Sequence, residues 1–206
     1  MAKVKLAVIY YSATGVTYQQ ALAVEEGAKA AGAEVRLRKV KELAPDQAIQ
    51  SNQGWSKHRT ETQHVPEATN DDLTWADAII FGTPTRYGLP SAQLKQFIDG
   101  TGGLWAKGAL VNKVMSSFTS TATKHGGQET TLVALNNVFY HWGAIIVAPG
   151  YVDPIQFEAG NPYGASHVSA NGTIPPDETA KKAARFQARR VVEVTAQLLA
   201  GRSAQT

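Results

Sequence analysis

Short runs of apolar residues alternate along this chain with longer segments whose apolar positions recur at helical spacing. Residues 6–11 are continuously apolar, as expected of a parallel strand that is buried on both faces. Residues 18–31 carry Ala, Leu and Val at helical spacing and end at Gly32, which can adopt the left-handed backbone of a helix terminus. The pattern therefore predicts a strand, a loop and a helix.

The same alternation continues to the end of the chain. Further strands are predicted at residues 35–40, 76–82, 113–118 and 144–148, and further helices at 91–99, from about 128 to 140 and from 177 to about 200. Arg36 and Arg38 alternate with apolar residues, which places the second strand at or near a sheet edge. Alternating strands and helices predict an α/β fold, with one parallel sheet covered on both faces.

Two segments do not follow the alternation. Residues 44–70 are polar and show no convincing period where a crossover helix is expected, so we predict an irregular segment that is functional or mobile. Residues 149–171 form a polar, glycine-rich excursion, in which Asn171-Gly172-Thr173 indicates only a turn. A length of 206 residues suits one domain, and we expect a single domain over residues 1–206.

Hydroxyl residues and glycines follow the first, third and fourth predicted strands. The first of these loops contains Ser12, Thr14, Gly15 and Thr17 before a helix begins. Unpaired N–H groups at a helix start attract anions, although Ser and Thr also commonly cap helices without binding a ligand. Ligands of parallel sheets bind at the carboxyl ends of the strands, so three such loops predict one shared site.

The first loop is not a nucleoside triphosphate site. It has a single glycine and lacks the GK[ST] end of a P-loop. Residues 100–105 resemble a G-x-G-x-x-G fingerprint but fail at the last position and follow a helix instead of a strand. Uncharged N–H and O–H donors are suited to one terminal phosphate monoester, such as that of a mononucleotide.

Composition excludes several classes of site chemistry. The chain has no cysteine, which excludes disulfides, thiolate catalysis and iron–sulfur clusters, so redox chemistry would require an organic cofactor. The net charge of +3 is scattered along the chain and predicts no nucleic-acid partner. The five histidines show no metal-ligand spacing, so no metal is expected. No apolar run is long enough for a membrane span or a signal peptide, which predicts a cytoplasmic protein without membrane insertion.

Four motifs together identify a family resemblance. They are residues 80–88 (IFGTPTRYG), 101–110 (TGGLWAKGAL), 126–129 (GGQE) and 161–165 (NPYGA). They resemble the FMN-dependent NAD(P)H:quinone oxidoreductases of the WrbA (tryptophan repressor-binding protein) type, and the likeness covers essentially the whole chain. The resemblance implies a flavodoxin-like doubly wound sheet of five parallel strands in the order 2-1-3-4-5, with noncovalent FMN as cofactor.

The resemblance also implies which residues bind. The first loop matches the FMN phosphate loop, residues 85–87 match the segment against the isoalloxazine ring, and residues 120–125 match the second flavin loop. The implied cofactor residues are Ser12, Ala13, Thr14, Gly15, Val16, Thr17, Pro84, Thr85, Arg86, Tyr87, Gly88, Ser120, Thr121, Ala122, Thr123, Lys124, His125, Gly126 and His141. Trp105 matches a residue that lines the substrate face in an assembled homotetramer, and Thr14 stands where the family often has an aromatic residue near the nicotinamide.

The expected function is two-electron transfer from NAD(P)H to quinones by a ping-pong mechanism, with no covalent catalytic residue because the flavin carries the chemistry. Two alternatives remain open from the sequence. One is a flavodoxin-type one-electron carrier, which usually has an acidic surface that this chain lacks. The other is an accessory partner of a transcriptional repressor, for which no helix-turn-helix or basic stripe is present. A response regulator is excluded, because Tyr11-Ser12 and Gly82-Thr83 stand where its aspartates would be.

Overall fold

A computed structural model describes residues 3–203, which form one sheet flanked by helices. The strands are β1 (Lys5–Tyr10), β2 (Glu34–Lys39), β3 (Ala78–Arg86), β4 (Leu89–Pro90), β5 (Val114–Thr121), β6 (Ile145–Ile146) and β7 (Ser166–Val168). The helices are α1 (Val16–Ala30), α2 (Asp46–Gln50), α3 (Gln53–Glu61), α4 (Asn70–Trp75), α5 (Ala92–Asp99), α6 (Gly102–Ala106), α7 (Gln128–His141), α8 (Pro154–Ala159) and α9 (Glu178–Ser203).

The sheet order is β2-β1-β3-β5-β6, and all four of these pairings are parallel. When only these five strands are counted, this is the predicted order 2-1-3-4-5, and the α/β fold class is confirmed. Tyr10 pairs with Gly82 of β3, and Pro84 pairs with Ser120 of β5. The three central strands therefore end close together, and the loops that follow them share one edge of the sheet.

The outer strand next to β5 is divided into two pieces. β6 pairs with Val114 and Met115 at the start of β5, whereas β7 pairs with residues 119–121 at its end. The predicted strand at 144–148 was too long, and the predicted excursion at 149–171 contains α8 and β7. The chain leaves the sheet after Val147, whose N–H bonds to the carbonyl of Met115, and it returns at Ser166.

β3 and β5 are longer than predicted, because their polar ends are part of the sheet. β3 continues beyond Gly82 to Arg86, and its end pairs in antiparallel fashion with β4. β5 continues to Thr121. Several Ser and Thr residues that the pattern assigned to loops are therefore strand residues with fixed backbone positions.

The prediction of an irregular segment at residues 44–70 was wrong, since it contains α2 and α3 and the start of α4. Buried Asp72 anchors α4 to the edge strand by accepting hydrogen bonds from Arg36 at 3.2 Å and Arg38 at 3.0 Å. Residues 66–68 exchange backbone hydrogen bonds with Lys39. The segment thus pairs with the edge strand at its last residue, which limits pairing with other chains there.

Each face of the sheet has its own core. Leu6, Val8 and Tyr10 of β1 pack on the side of α1 and α9. Ala7 and Ile9 face the opposite side, with apolar residues of α5 and α7. A strand buried on both faces has no polar face, which explains the continuous apolar run in the sequence.

Three buried residues set the spacing between layers. Gly82 lies under the ring of Phe118, where any Cβ would collide with the ring carbons, and Gly27 lets α1 approach the backbone of Arg185 in α9. Gln187 of α9 is fully buried and donates to Ser116 Oγ at 2.7 Å, while its Oε1 accepts from the backbone N–H of Ala165. Close packing on the α1 and α9 side of the sheet therefore depends on specific small or fully bonded residues.

None of the helices within residues 3–203 has the length and hydropathy required to cross a bilayer.

Replacement of Gly82 by Ala tests the packing against Phe118. We expect Gly82→Ala to lower the free energy of unfolding by about 1–3 kcal/mol, because the buried ring has to move from its position. Gly201→Ala is the matched control, since Gly201 lies in α9 and an added Cβ would meet no atom within 4 Å. The control should be neutral or stabilising by up to about 1 kcal/mol. Urea denaturation followed by circular dichroism measures both, and equal stability of the two variants would contradict the packing argument.

Candidate functional site

A cleft of about 590 Å³ opens where β1, β3 and β5 end. Its volume lies within the range of about 300–1,000 Å³ usual for small-molecule sites. It is located beside β1, where the strand order reverses, as expected for ligand sites of parallel sheets. The lining residues are Ser12, Ala13, Thr14, Val16, Thr17, Asn52, Trp55, Pro84, Thr85, Arg86, Tyr87, Ser120, Thr121, Ala122, Gly126, Ser169, Asn171 and Gly172.

One wall of the cleft is the loop that leads into α1. Gly15 is the N-cap residue of α1 with a φ of 95°, and no side chain caps the helix. The first turn of α1 contains no acidic residue, so its N–H groups and the positive end of the helix dipole remain available to an anion. Ser12 Oγ accepts from the N–H of Gly15 at 3.1 Å, and Thr17 Oγ1 lies 2.9 Å from Ser120 Oγ. The start of α1 and the end of β5 are therefore joined directly.

The opposite wall is the end of β3 and its turn. Thr85 Oγ1 lies 2.7 Å from Thr131 Oγ1 of α7 and accepts from the N–H of Gly88. Tyr87 has a φ of 55° and a fully exposed side chain. A left-handed backbone costs free energy for a residue with a Cβ, so the turn presents this ring at the cleft at a cost in stability.

A turn at residues 169–172 also borders the cleft. Ala170, Asn171 and Gly172 all have positive φ, and the turn is held by Ser169, whose Oγ accepts from the N–H of Gly172. Gly172 lies so close to Thr14 that a Cβ would collide with Oγ1. The sequence indicated a turn at Asn171-Gly172, but no pattern indicated that the turn returns to the first loop.

Segment 44–70 contributes Asn52 and Trp55, which sequence reasoning missed. Glu42 holds Trp55 in place by accepting from its Nε1 at 3.0 Å, and it also accepts from Tyr11 and Gln93. Burial alone would raise the pKa of Glu42, but hydrogen bonds from the backbone N–H of Ala44 and from Gln93, Tyr11 and Trp55 outweigh it and lower that pKa. The one available signal was a Trp inside an otherwise polar segment.

The pKa of buried Tyr11 is raised, first by burial and then by the neighbouring carboxylate of Glu42. Tyr11 therefore remains a neutral hydrogen-bond donor at physiological pH. The Glu42 carboxylate and its donors Tyr11, Trp55 and Gln93 form a fixed group. This group connects the end of β1 with α3 and α5.

Some predicted residues lie outside this cleft. Lys124 and His125 line a separate cleft with His167 and Asp177, on the other side of the 121–127 loop. Gly15, Gly88 and Thr123 belong to the loops around the cleft but do not line it. His141 ends α7, and its carbonyl accepts from Trp105 Nε1 at 3.0 Å. In the single chain, the structure thus brings together most of the first and second predicted loops and only part of the third.

His141 and Trp105 share an exposed apolar surface. Beside His141 is a groove of about 430 Å³ between α5 and α7, lined mainly by apolar atoms of Leu89, Ile98 and Val138 among others. Trp105 is 58% exposed and Tyr140 is 68% exposed. Exposed apolar patches of this kind mark interaction sites.

The cleft can bind an anion at one end and a flat polar ring at the other. The anion end offers hydroxyl and backbone N–H donors without any Lys or Arg between Ser12 and Thr17. Beyond it the cleft is bordered by Trp55, Arg86 and Tyr87. An uncharged donor cradle and an uncapped helix start fit the phosphate of FMN, and the aromatic and guanidinium groups fit an aromatic ring.

Comparisons with known proteins agree with this chemistry. Residues 4–155 match the family model described as NADPH-dependent FMN reductase. A Deinococcus radiodurans protein named NAD(P)H dehydrogenase (quinone) is 49% identical over 199 residues, covering 96% of this chain and 98% of that protein. An Aromatoleum aromaticum protein with the same name is 44% identical over 207 residues, covering 97% of this chain and 100% of the other.

Solved structures give the same fold. The flavodoxin, WrbA-like protein from Agrobacterium tumefaciens is 28% identical, with a TM-score of 0.66 and coverage of 95% of this chain and 99% of that one. A flavodoxin from the Archaea is 16% identical with a TM-score of 0.62 over 94% of this chain and 99% of its own, which shows the fold alone. The chain therefore belongs to the NADPH-dependent FMN reductase family, together with the proteins named NAD(P)H dehydrogenase (quinone).

Proposed function

We propose that this chain, as a single FMN-binding domain, is an FMN-dependent oxidoreductase that transfers two electrons from NAD(P)H to quinones. The observation that carries the proposal is the uncharged donor cradle at the start of α1, which opens into a 590 Å³ cleft with aromatic borders. The names of the relatives support the substrates. A cytoplasmic location stays a prediction.

The chain's own residues would bind and orient the cofactor. Ser12, Thr14, Thr17 and the N–H groups at the start of α1 would hold the phosphate. Residues 84–87 and 120–122 would border the ring, where Arg86 can balance negative charge that develops on it. Tyr87 would cover one side of the ring and reduce its contact with water.

FMN held by these residues would supply the redox chemistry, which is hydride transfer from NAD(P)H and two-electron reduction of a quinone. Both substrates would reach the ring through the main cleft, which is bordered by the first loop, the 169–172 turn and the end of β5. A nicotinamide and a quinone are both planar and would occupy the same face in turn. This geometry supports ping-pong kinetics.

A homotetramer is part of the same proposal. The family resemblance matches Trp105 to the substrate face and His141 to a flavin-contacting histidine. His141 lines the exposed apolar groove between α5 and α7, and Trp105 lies beside it, bonded to the carbonyl of His141. Burial of that surface against another copy would stabilise an assembly through the hydrophobic effect. Trp105 and His141 would then reach the cofactor of a neighbouring chain rather than their own.

The proposal as a whole is tested on purified protein. The protein should be yellow, its released chromophore should co-migrate with FMN, and NAD(P)H oxidation should require a quinone. A colourless protein that neither binds added FMN nor oxidises NAD(P)H would contradict the assignment.

The phosphate cradle is tested by Ser12→Ala/Thr17→Val. Each hydrogen bond to a charged group contributes about 1.5–3 kcal/mol, so the double variant should bind FMN at least ~100-fold more weakly at ~1.4 kcal/mol per decade. Thr60→Val/Thr74→Val is the matched control, because both hydroxyls are exposed and bond only to helix carbonyls. Flavin fluorescence titration measures the affinity, and an unchanged dissociation constant in the first variant would refute the cradle.

Steady-state kinetics test the order of substrates. Double-reciprocal plots for NAD(P)H at several fixed quinone concentrations should be parallel, and each substrate should inhibit at high concentration. NAD(P)H mixed with the enzyme in the absence of quinone should bleach the flavin absorbance in a single turnover. Intersecting lines would indicate that both substrates bind together.

Sedimentation velocity tests the assembly. The wild-type protein should sediment as four chains at micromolar concentration, and Tyr140→Asp should yield smaller species because a charge cannot be buried in an apolar contact without a large cost. Leu22→Asp, on the partly exposed face of α1, is the control and should remain a tetramer. A wild-type monomer with full activity would contradict the tetramer.

A further inference from the structure

A second cavity of about 260 Å³ lies next to the main cleft, between the ends of β1 and β2 and helix α3. Ser12 and Trp55 line both spaces, so the cavity continues the cleft along the same edge of the sheet. Lys39 and Lys41 form its β2 side, and His58 forms part of its α3 side. The cavity is built largely from segment 44–70 and the end of β2, for which the sequence indicated no function.

Two buried polar groups line this cavity without a partner. Tyr10 is fully buried, and its hydroxyl has no hydrogen bond within the described residues. His58 is 7% exposed and stacks near Tyr18, and neither of its ring nitrogens bonds to a described residue. Burial lowers the pKa of His58 to about 4, so the neutral ring can donate through one nitrogen and accept through the other. Buried polar groups are normally satisfied, and the Tyr10 hydroxyl therefore calls for a polar partner, while the His58 ring nitrogens can bond to an occupant of the cavity.

The cavity is lined by charged groups of both signs. Its cations are Lys39, Lys41 and Arg59, and its carboxylates are those of Glu42 and Glu67. The Glu42 carboxylate is already occupied by donors from Tyr11, Trp55, Gln93 and two backbone N–H groups.

Among the three cations, Lys41 is the one that remains available. Arg59 bonds to Asp46 at 2.6 Å, and Lys39 donates to the carbonyl of Thr62 at 2.7 Å. Lys41 is exposed and has no ion pair among residues 3–203. A cation at the rim of a pocket with hydroxyl and imidazole groups is suited to a phosphate attached to a sugar.

The two ends of the combined site therefore differ in chemistry. The cradle at the start of α1 is uncharged, whereas charged side chains line the adjoining cavity, among them the exposed Lys41. Of the two nicotinamide nucleotides, NADPH alone carries a phosphate monoester, on the ribose of its adenosine.

We propose that the cavity between β2 and α3 binds the adenosine 2′-phosphate end of NADPH, with Lys41 contacting the phosphate and Tyr10 and His58 contacting the adenosine. This inference rests on the proposed function, since it requires NAD(P)H to reach the main cleft. Segment 44–70 then determines nucleotide preference. Trp55 separates the two parts of the bound nucleotide.

The test uses the FMN-loaded enzyme and two variants with different expected effects. Lys41→Gln removes the contact specific to NADPH, so the ratio of the KM for NADPH to the KM for NADH should rise about 10-fold. Tyr10→Phe removes a contact common to both nucleotides, so both KM values should rise while their ratio stays constant. Lys57→Gln is the matched control, because Lys57 lies on α3, is exposed and does not line the cavity.

A ligand probe provides the second measurement. Adenosine 2′,5′-bisphosphate should compete with NADPH more tightly than 5′-AMP in the wild type, and Lys41→Gln should abolish the difference. If Lys41→Gln leaves the KM ratio and both inhibition constants unchanged, the cavity holds only water and the inference is wrong. If the wild type binds FMN and reduces quinone with both nucleotides, the proposed function stands regardless. An enzyme that uses neither nucleotide would instead overturn the proposed function.

Discussion

The parallel pairing of β1, β3 and β5 is the constraint on which the rest of the molecule depends. Because these strands are parallel and in register, their carboxyl ends meet at one edge, and each following loop enters the same cleft. The pairing requires a glycine at position 82, since Phe118 fills the space beside it. The hydrogen bond between Thr17 and Ser120 then joins the start of α1 to the end of β5. The position of a ligand site at this edge therefore follows from the strand pairing alone, whichever side chains the loops carry.

Much of this arrangement could be predicted from the sequence, because buried parallel strands have an unmistakable apolar pattern. The strands predicted at residues 6–11 and 76–82 were located for that reason, with bounds that differ from those of β1 and β3. The sheet order came from the family resemblance and was confirmed. The polar ends of β3 and β5 were missed, because Thr and Ser carry no apolar signal even where the backbone pairs. Tyr10 and Tyr11 illustrate a further limit of the apolar pattern, which assigned both to a buried strand. The Tyr10 hydroxyl has no partner among the described residues, whereas the Tyr11 hydroxyl bonds to Glu42.

Segment 44–70 could not be predicted, because tertiary contacts rather than helical periodicity stabilise its short helices. Asp72 is bonded to two arginines of a strand, and Trp55 is bonded to Glu42. These contacts join separate elements, and isolated helices shorter than about 12 residues are not stable in water. The return of the 169–172 turn to the first loop was missed for a similar reason, since its contact with Thr14 joins two segments that are far apart in the chain.

The packing of α9 on α1 has a consequence for synthesis of the chain. Roughly 150 residues separate the end of α1 from the start of α9, and ribosomes add about 5–20 residues per second. At that rate, the apolar side of α1 and one face of the sheet remain uncovered for roughly 7 to 30 s after α1 has been made. During that interval the nascent protein exposes the surface that Ala183, Ala184, Ala188 and Val191 later bury, which makes it prone to aggregation until α9 has been made.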